Sequence, residues 1–203
     1  MKKSLIVIIV LVAVVLSLFF WGKSTFNRMT TNELALEQQW AHVQLQYQRR
    51  LDLIPNLVET VKGYASHESE TFENVTKARA GLTEAYNEAN ASEGANPADE
   101  QAFRNSQQSQ DALNKALSIY VNAVREAYPD LKADTQFLNL QTQLEGTENR
   151  IATERGRYTE AVQNYNLSIK KFPGNIWASI FGFKEKPQFQ ADPEAARAPS
   201  VSF

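Results

Sequence analysis

Residues 137–172 read FLNLQTQLEGTENRIATERGRYTEAVQNYNLSIKKF. Large apolar side chains fall at Phe137, Leu144, Ile151, Tyr158, Tyr165 and Phe172, one in every seven residues. Leu140 joins them at the companion position, with Thr147, Glu154, Ala161 and Ser168 continuing that second row. Such a repeat marks a helix that lies lengthwise on its neighbours at a shallow crossing angle, because a seven-residue period keeps one seam facing the partner. The stripe therefore predicts a packed core rather than a cofactor site.

The same spacing extends towards the N-terminus. From residue 27 to 54, Leu36, Trp40, Val43, Tyr47, Leu51 and Ile54 step by three and four, the amphipathic helix pattern. Beyond Pro55, Leu57, Val58, Val61, Tyr64, Phe72, Val75 and Leu82 carry it on. Residues 90–99 (NASEGANPAD) have the composition of a loop. Phe103, Leu113, Leu117, Tyr120 and Val124 mark a further helix, which Pro129 stops. Pro55 admits two readings. It opens a new helix, where proline is tolerated in the first turn, or it sits inside one long helix whose seven-residue phase passes through it.

Residues 5–21 (LIVIIVLVAVVLSLFFW) differ from everything that follows. Only Ser17 is polar, and the run is apolar on all sides, which a surface helix is not. At 1.5 Å per residue the stretch is about 26 Å long, enough for most of a bilayer core. Leu5, Leu11, Leu16 and Trp21 are expected within the span, with the aromatic end at the interface. A cleaved signal peptide is the rival reading, but its apolar part is shorter and ends in small residues, whereas Phe-Phe-Trp-Gly-Lys follows here. The expected organisation is a membrane anchor over 1–23, a helical bundle over 24–173, an apolar and aromatic extension over 174–190 and a disordered tail over 191–203. The larger polar part is expected outside the cytoplasm.

Composition removes most chemistries. The chain has 203 residues, no cysteine and two histidines, His42 and His67, so cysteine-ligated metals, disulfides and histidine triads have no material. No Gly-x-Ser-x-Gly, phosphate-cradling glycine loop or Glu-x-x-His occurs. The net charge is −2, which lacks the basic footprint of a nucleic-acid binder. The expectation is a non-enzyme with no cofactor, no metal and no small-molecule substrate.

Several runs together resemble the LemA family. They are residues 49–58 (RRLDLIPNLV), Val61-Lys62-Gly63-Tyr64-Ala65 with His67-Glu68, and Tyr128-Pro129-Asp130-Leu131-Lys132-Ala133 with Phe137, Leu140 and Gln141. Residues 147–152 (TENRIA), Arg155, Tyr165-Asn166, Phe172-Pro173 and Gly182-Phe183 complete the set. Gln44 and Thr159 depart from the residues that many members carry there. The resemblance implies an all-α, antiparallel up-and-down four-helix bundle behind an N-terminal transmembrane helix, and so favours a break at Pro55. It further implies a bacterial inner-membrane location, no established enzymatic activity, and a role in organising proteins or membrane at the cell envelope. Its partners would be the membrane and a protein partner or second copy. The rival implied role is an adaptor or regulator of a membrane peptidase or quality-control enzyme.

In such a bundle, counting residues up and down the helices puts Arg50 level with Glu148 and Glu68 level with Arg155. Lone charges in a core are expensive and paired ones tolerable, so contacts between Arg50 and Glu148 and between Glu68 and Arg155 are expected. Ile176, Trp177, Ile180 and Phe181 either fold back to cap the bundle or form an interfacial patch, since four helices return this end to the bilayer.

Overall fold

The computed structural model describes residues 2–65 and 73–190. Among the described residues the protein is all-helical: α1 (Lys2–Ala65), α2 (Glu73–Ala91), α3 (Glu100–Ala127), a 3-10 turn (Pro129–Ala133), α4 (Thr135–Lys170) and the short α5 (Gly174–Phe181). Asp99 caps α3 by accepting from the Gln101 and Ala102 amides at 2.9 and 3.1 Å. Asp134 does the same for α4 through the Phe137 amide at 2.9 Å. Both satisfy donors that a helix start leaves orphaned.

The break favoured at Pro55 is not there. α1 runs through Pro55 without interruption. Proline inside a helix costs about 3 kcal/mol, for a lost hydrogen bond and a ring clash. Here the ring is exposed, while Leu51, Leu53, Ile54, Leu57 and Val61 are all buried around it. Each such side chain contributes about 1.5–3 kcal/mol on burial, so packing on both sides outweighs the local penalty. The Asn56 side chain also donates to the Asp52 carbonyl at 3.3 Å, beside the gap.

α4 lies along α1 and runs opposite to it. Phe137 at its start shares a core with Leu57 and Val61, and Tyr165 and Ile169 near its end share one with Met29 and Leu36. α3 returns along α2, burying Leu113, Leu117, Tyr120 and Val124 with Val75, Leu82, Ala85 and Ala89. Trp40 ties the two pairs together by donating to the Ala95 carbonyl at 2.8 Å and packing on Phe103 and Tyr158. The heptad stripe of α4 is buried from Phe137 to Tyr165, but α4 ends at Lys170 and Phe172 is 81% exposed. Phe172 therefore does not belong to the seam; Pro173 ends the helical phase before it could.

After α5 the chain turns at Gly182, whose φ of +77° favours glycine, and an extended strap follows over residues 183–190. The strap is held largely through its backbone. Tyr165 donates to the Lys184 carbonyl at 2.9 Å and Tyr158 to the Pro187 carbonyl at 3.2 Å. The Asn166 amide both donates to the Lys186 carbonyl and accepts from the Lys186 amide, each at 3.0 Å. Phe189 closes the strap onto Trp40, Phe103 and Tyr158.

Buried phenols give the fold an alkaline limit. Burial pushes the Tyr120 and Tyr165 hydroxyls up to about 12, with Glu33 adding to Tyr165, and raises Tyr158 as well. In the unfolded chain these groups ionise near the ordinary value of 10.0. Between pH 10 and pH 12 the unfolded state thus binds fewer protons than the folded state, so stability is whole below the lower value and falls as pH rises through the window. Tyrosinate absorbance and helical circular dichroism, followed together, are expected to change in one coincident step there; early ionisation with the helices intact would contradict the burial.

Candidate membrane-contact site

The N-terminal part of α1 is long and apolar enough to cross a membrane. Leu5, Leu11, Leu16 and Trp21 are all exposed on it. Directly after Trp21, α1 meets α5. Trp177 lies so close over Gly22 that a Cβ there would come within 2.8 Å of the indole, so any side chain would push the ring away. The Trp21 ring meets Trp177 edge-on, with centroids 5.8 Å apart, and Trp177 stacks on Phe181 at 5.8 Å. Phe181 packs on Phe26 at 4.9 Å, and Phe26 on Phe183 at 5.7 Å. A chain of aromatic rings thus joins the end of the apolar segment to the end of α4 and the start of the strap. This end of α4 lies beside the apolar segment although α1 is a single helix, because α2 and α3 supply the turn-back that Pro55 does not.

α5 has two sides. Ala178 is buried and Trp177 half-buried against α1 and α4, whereas Ile176 and Ile180, one turn apart, are 50% and 64% exposed. Phe172 and part of Phe181 extend that apolar face. Lys23 and Arg28 on α1, and Lys171 and Lys184 on the segments flanking α5, are all exposed and have no ion-pair partner among the described residues. Lys170 and Lys186 are taken, by Glu185 at 2.7 Å and Glu33 at 2.8 Å.

Higher up, the core contains charge. Arg50 is 1% exposed. It donates to Glu148 Oε1 at 2.8 Å, to the Gln110 carbonyl at 3.0 Å and to the Gln110 side-chain oxygen, thereby joining α1, α3 and α4. The expected contact between Glu68 and Arg155 lies outside the described residues, because Glu68 does. Arg155 pairs with Asp111 at 2.8 Å and donates to the Tyr47 hydroxyl at 2.8 Å. Its guanidinium stacks over Tyr47 at 5.4 Å and over Phe189 at 5.0 Å, with Arg50 on Tyr47 at 5.7 Å. Burial raises the Tyr47 hydroxyl above its ordinary value, while the Arg155 charge opposes the rise. The terminal nitrogens of Arg50 and the head of Arg155 are paired within this group, while Arg50 Nε is buried without a hydrogen-bond partner; the arrangement suits fixing helix register rather than proton transfer.

Sequence reasoning did not single out Phe26, Phe189, Gly22, Gln110 or Asp111. Phe189 carried a readable signal, an isolated aromatic in a polar segment. Gln110 and Asp111 carried none, because polar residues on an amphipathic helix read as solvated.

Removing one partner of the buried pair leaves an uncompensated charge or unmet polar groups, at about 3 kcal/mol. Arg50→Ala is expected to lower the urea-unfolding free energy by about that amount, and Arg50→Met combined with Glu148→Leu by clearly less. An additive double variant would show that the two residues are not energetically coupled.

Comparison with known proteins adds identity to this geometry. Over 71 residues the chain is 41% identical to "Magnetosome protein MamQ 2" and to "Magnetosome protein MamQ 1" of Paramagnetospirillum magneticum. It is 32% identical over 71 residues to "Magnetosome protein MamQ" of Magnetospirillum gryphiswaldense. These alignments cover 35% of this chain and 26% of each relative, so the chain spans about a quarter of the length of the curated relatives it matches. The family model for LemA matches residues 39–203, which takes in the Arg50 and Arg155 pairs, α4, α5 and the strap, and the chain belongs to the LemA family.

Proposed function

We propose that the protein is a membrane-tethered, non-enzymatic helical scaffold that organises proteins or membrane at the bacterial cell envelope. In this reading residues 5–21 span the inner membrane, α1–α4 form an up-and-down four-helix bundle, and the bundle stands outside the cytoplasm. The observation that carries the proposal is the continuity of α1: the apolar segment and the packed bundle share one helix, Lys2–Ala65, with no linker between them. A flexible tether would suit a catalytic domain that searches for substrate. A helix about 96 Å long suits a fixed post that presents a surface at a set height.

The Arg50–Glu148 and Arg155–Asp111 pairs support the same reading, because each ties two helices together. Among the described residues no three His, Asp or Glu side chains are grouped to hold a metal ion. The names of the magnetosome relatives are consistent with a membrane setting, as analogy.

Crosslinking of the full chain in native membranes, followed by identification of the products, tests the role. Self-crosslinks, or crosslinks to several envelope proteins, are expected for a scaffold. Capture of one membrane peptidase alone would replace this reading with that of an adaptor. A turnover abolished by Glu148→Gln, with the helical signal unchanged, would make it an enzyme.

A further inference from the structure

We infer that α5 is a second membrane contact, an interfacial helix that seats on the anionic headgroup layer of the same bilayer that residues 5–21 cross. The inference rests on the reading of those residues as a span, and its depth argument follows from geometry. Seventeen residues of helix cover about 26 Å, so Trp21 comes to the interface at the end of the hydrocarbon core. Trp177 is one ring contact away at 5.8 Å and lies against Gly22. α5 is therefore held at the depth where aromatic rings and amphipathic helices gather.

Capping the bundle accounts for only half of α5. Ala178 and the inner face of Trp177 do that work, and a cap would place Ile176, Ile180 and Phe172 against protein as well. They are exposed instead, with Ile176 and Ile180 one turn apart on the helix whose Trp177 meets Trp21. Scattered exposed apolar side chains need no explanation, but these sit on a short helix joined by Trp177 to the foot of an apolar segment whose side chains are exposed among the described residues.

Charge selects the lipid. Lys23, Arg28, Lys171 and Lys184 lie on the two segments that meet here, and Glu33 and Glu185 are already neutralised by Lys186 and Lys170. The local excess is positive and surrounds an apolar face, the complement of an anionic headgroup layer above acyl chains. Two contacts fix the bundle's rotation and tilt, where a lone span would leave it free to swivel.

The lack of native cysteine makes the test direct. Full-length chains carrying a single spin label at Ile176→Cys or Ile180→Cys are placed in vesicles of phosphatidylcholine with phosphatidylglycerol. Leu11→Cys serves as a label inside the span and Leu45→Cys as one on the exposed flank of the bundle. The ratio of oxygen to nickel-complex collisions is expected to be several-fold higher at residues 176 and 180 than at 45, and to approach that at 11. Water-like values at 176 and 180 with a lipid-like value at 11 would overturn the second contact and leave the span standing. A water-like value at 11 would remove the span and this inference with it. The ratios at 176 and 180 are expected to drop when phosphatidylglycerol is omitted, or when Lys23, Arg28, Lys171 and Lys184 are changed to Gln with circular dichroism unchanged; no drop in either case would overturn the anionic partner.

Discussion

The structure depends on one helix that does not stop. α1 carries the apolar segment, the aromatic collar, the buried arginine and half of the main seam on a single axis. Pro55 is the place where that continuity is most costly, and it survives because apolar residues are buried on both sides of the ring. Were the helix to hinge there, the seam with α4 would lose its common axis and the Arg50 bonds would lose their alignment. Stability and orientation are thus one problem for this protein.

The second organising feature is a polar belt inside an apolar stack. Arg50, Gln110 and Glu148 join three helices at one level, and Arg155, Asp111 and Tyr47 join the same three nearby. Apolar seams alone tolerate a slip of one heptad, because each layer resembles the next. A slip here would strand two guanidiniums in the core, so the belt selects one alignment out of several that burial alone would allow. Phe189 stacks on Arg155, which makes the C-terminal strap part of the same arrangement.

Much of this was legible because helical periodicity is local. The stripe from Phe137 to Tyr165 and the stop at Pro129 are properties of neighbouring residues, and the apolar segment is legible from composition alone. At Pro55 the local sequence leaves a break and a continuous helix evenly balanced, and the family resemblance alone tips the reading to a break; the burial that keeps the helix whole depends on the partner helix. Phe172 kept the seven-residue phase on paper, but the helix had ended two residues earlier at Lys170. The Arg50–Glu148 contact could be reasoned from height, since both side chains are long and lie beside stripes. Asp111 and Gln110 could not, because which polar residue of α3 turns inward is decided by the rotation of that helix. The strap was least legible: its backbone is held by tyrosine and asparagine side chains from α4, and no repeat in residues 183–190 announces that.

The main seam joins distant parts of the chain, with Arg50 and Glu148 98 positions apart. α2 and α3 are neighbours and pair across a short loop, so they find each other early, as local contacts do. α1 has to wait. While the ribosome is still making α4, the greasy side of α1 from Met29 to Val61 lacks its main cover and has only α2 and α3 to pack on. The residue that locks the strap over Trp40 and Tyr158, Phe189, follows α4 in the chain and emerges after it. The newborn protein is therefore most vulnerable to sticking to its neighbours before α4 and the strap are in place, and a nascent-chain guardian would find its best grip there.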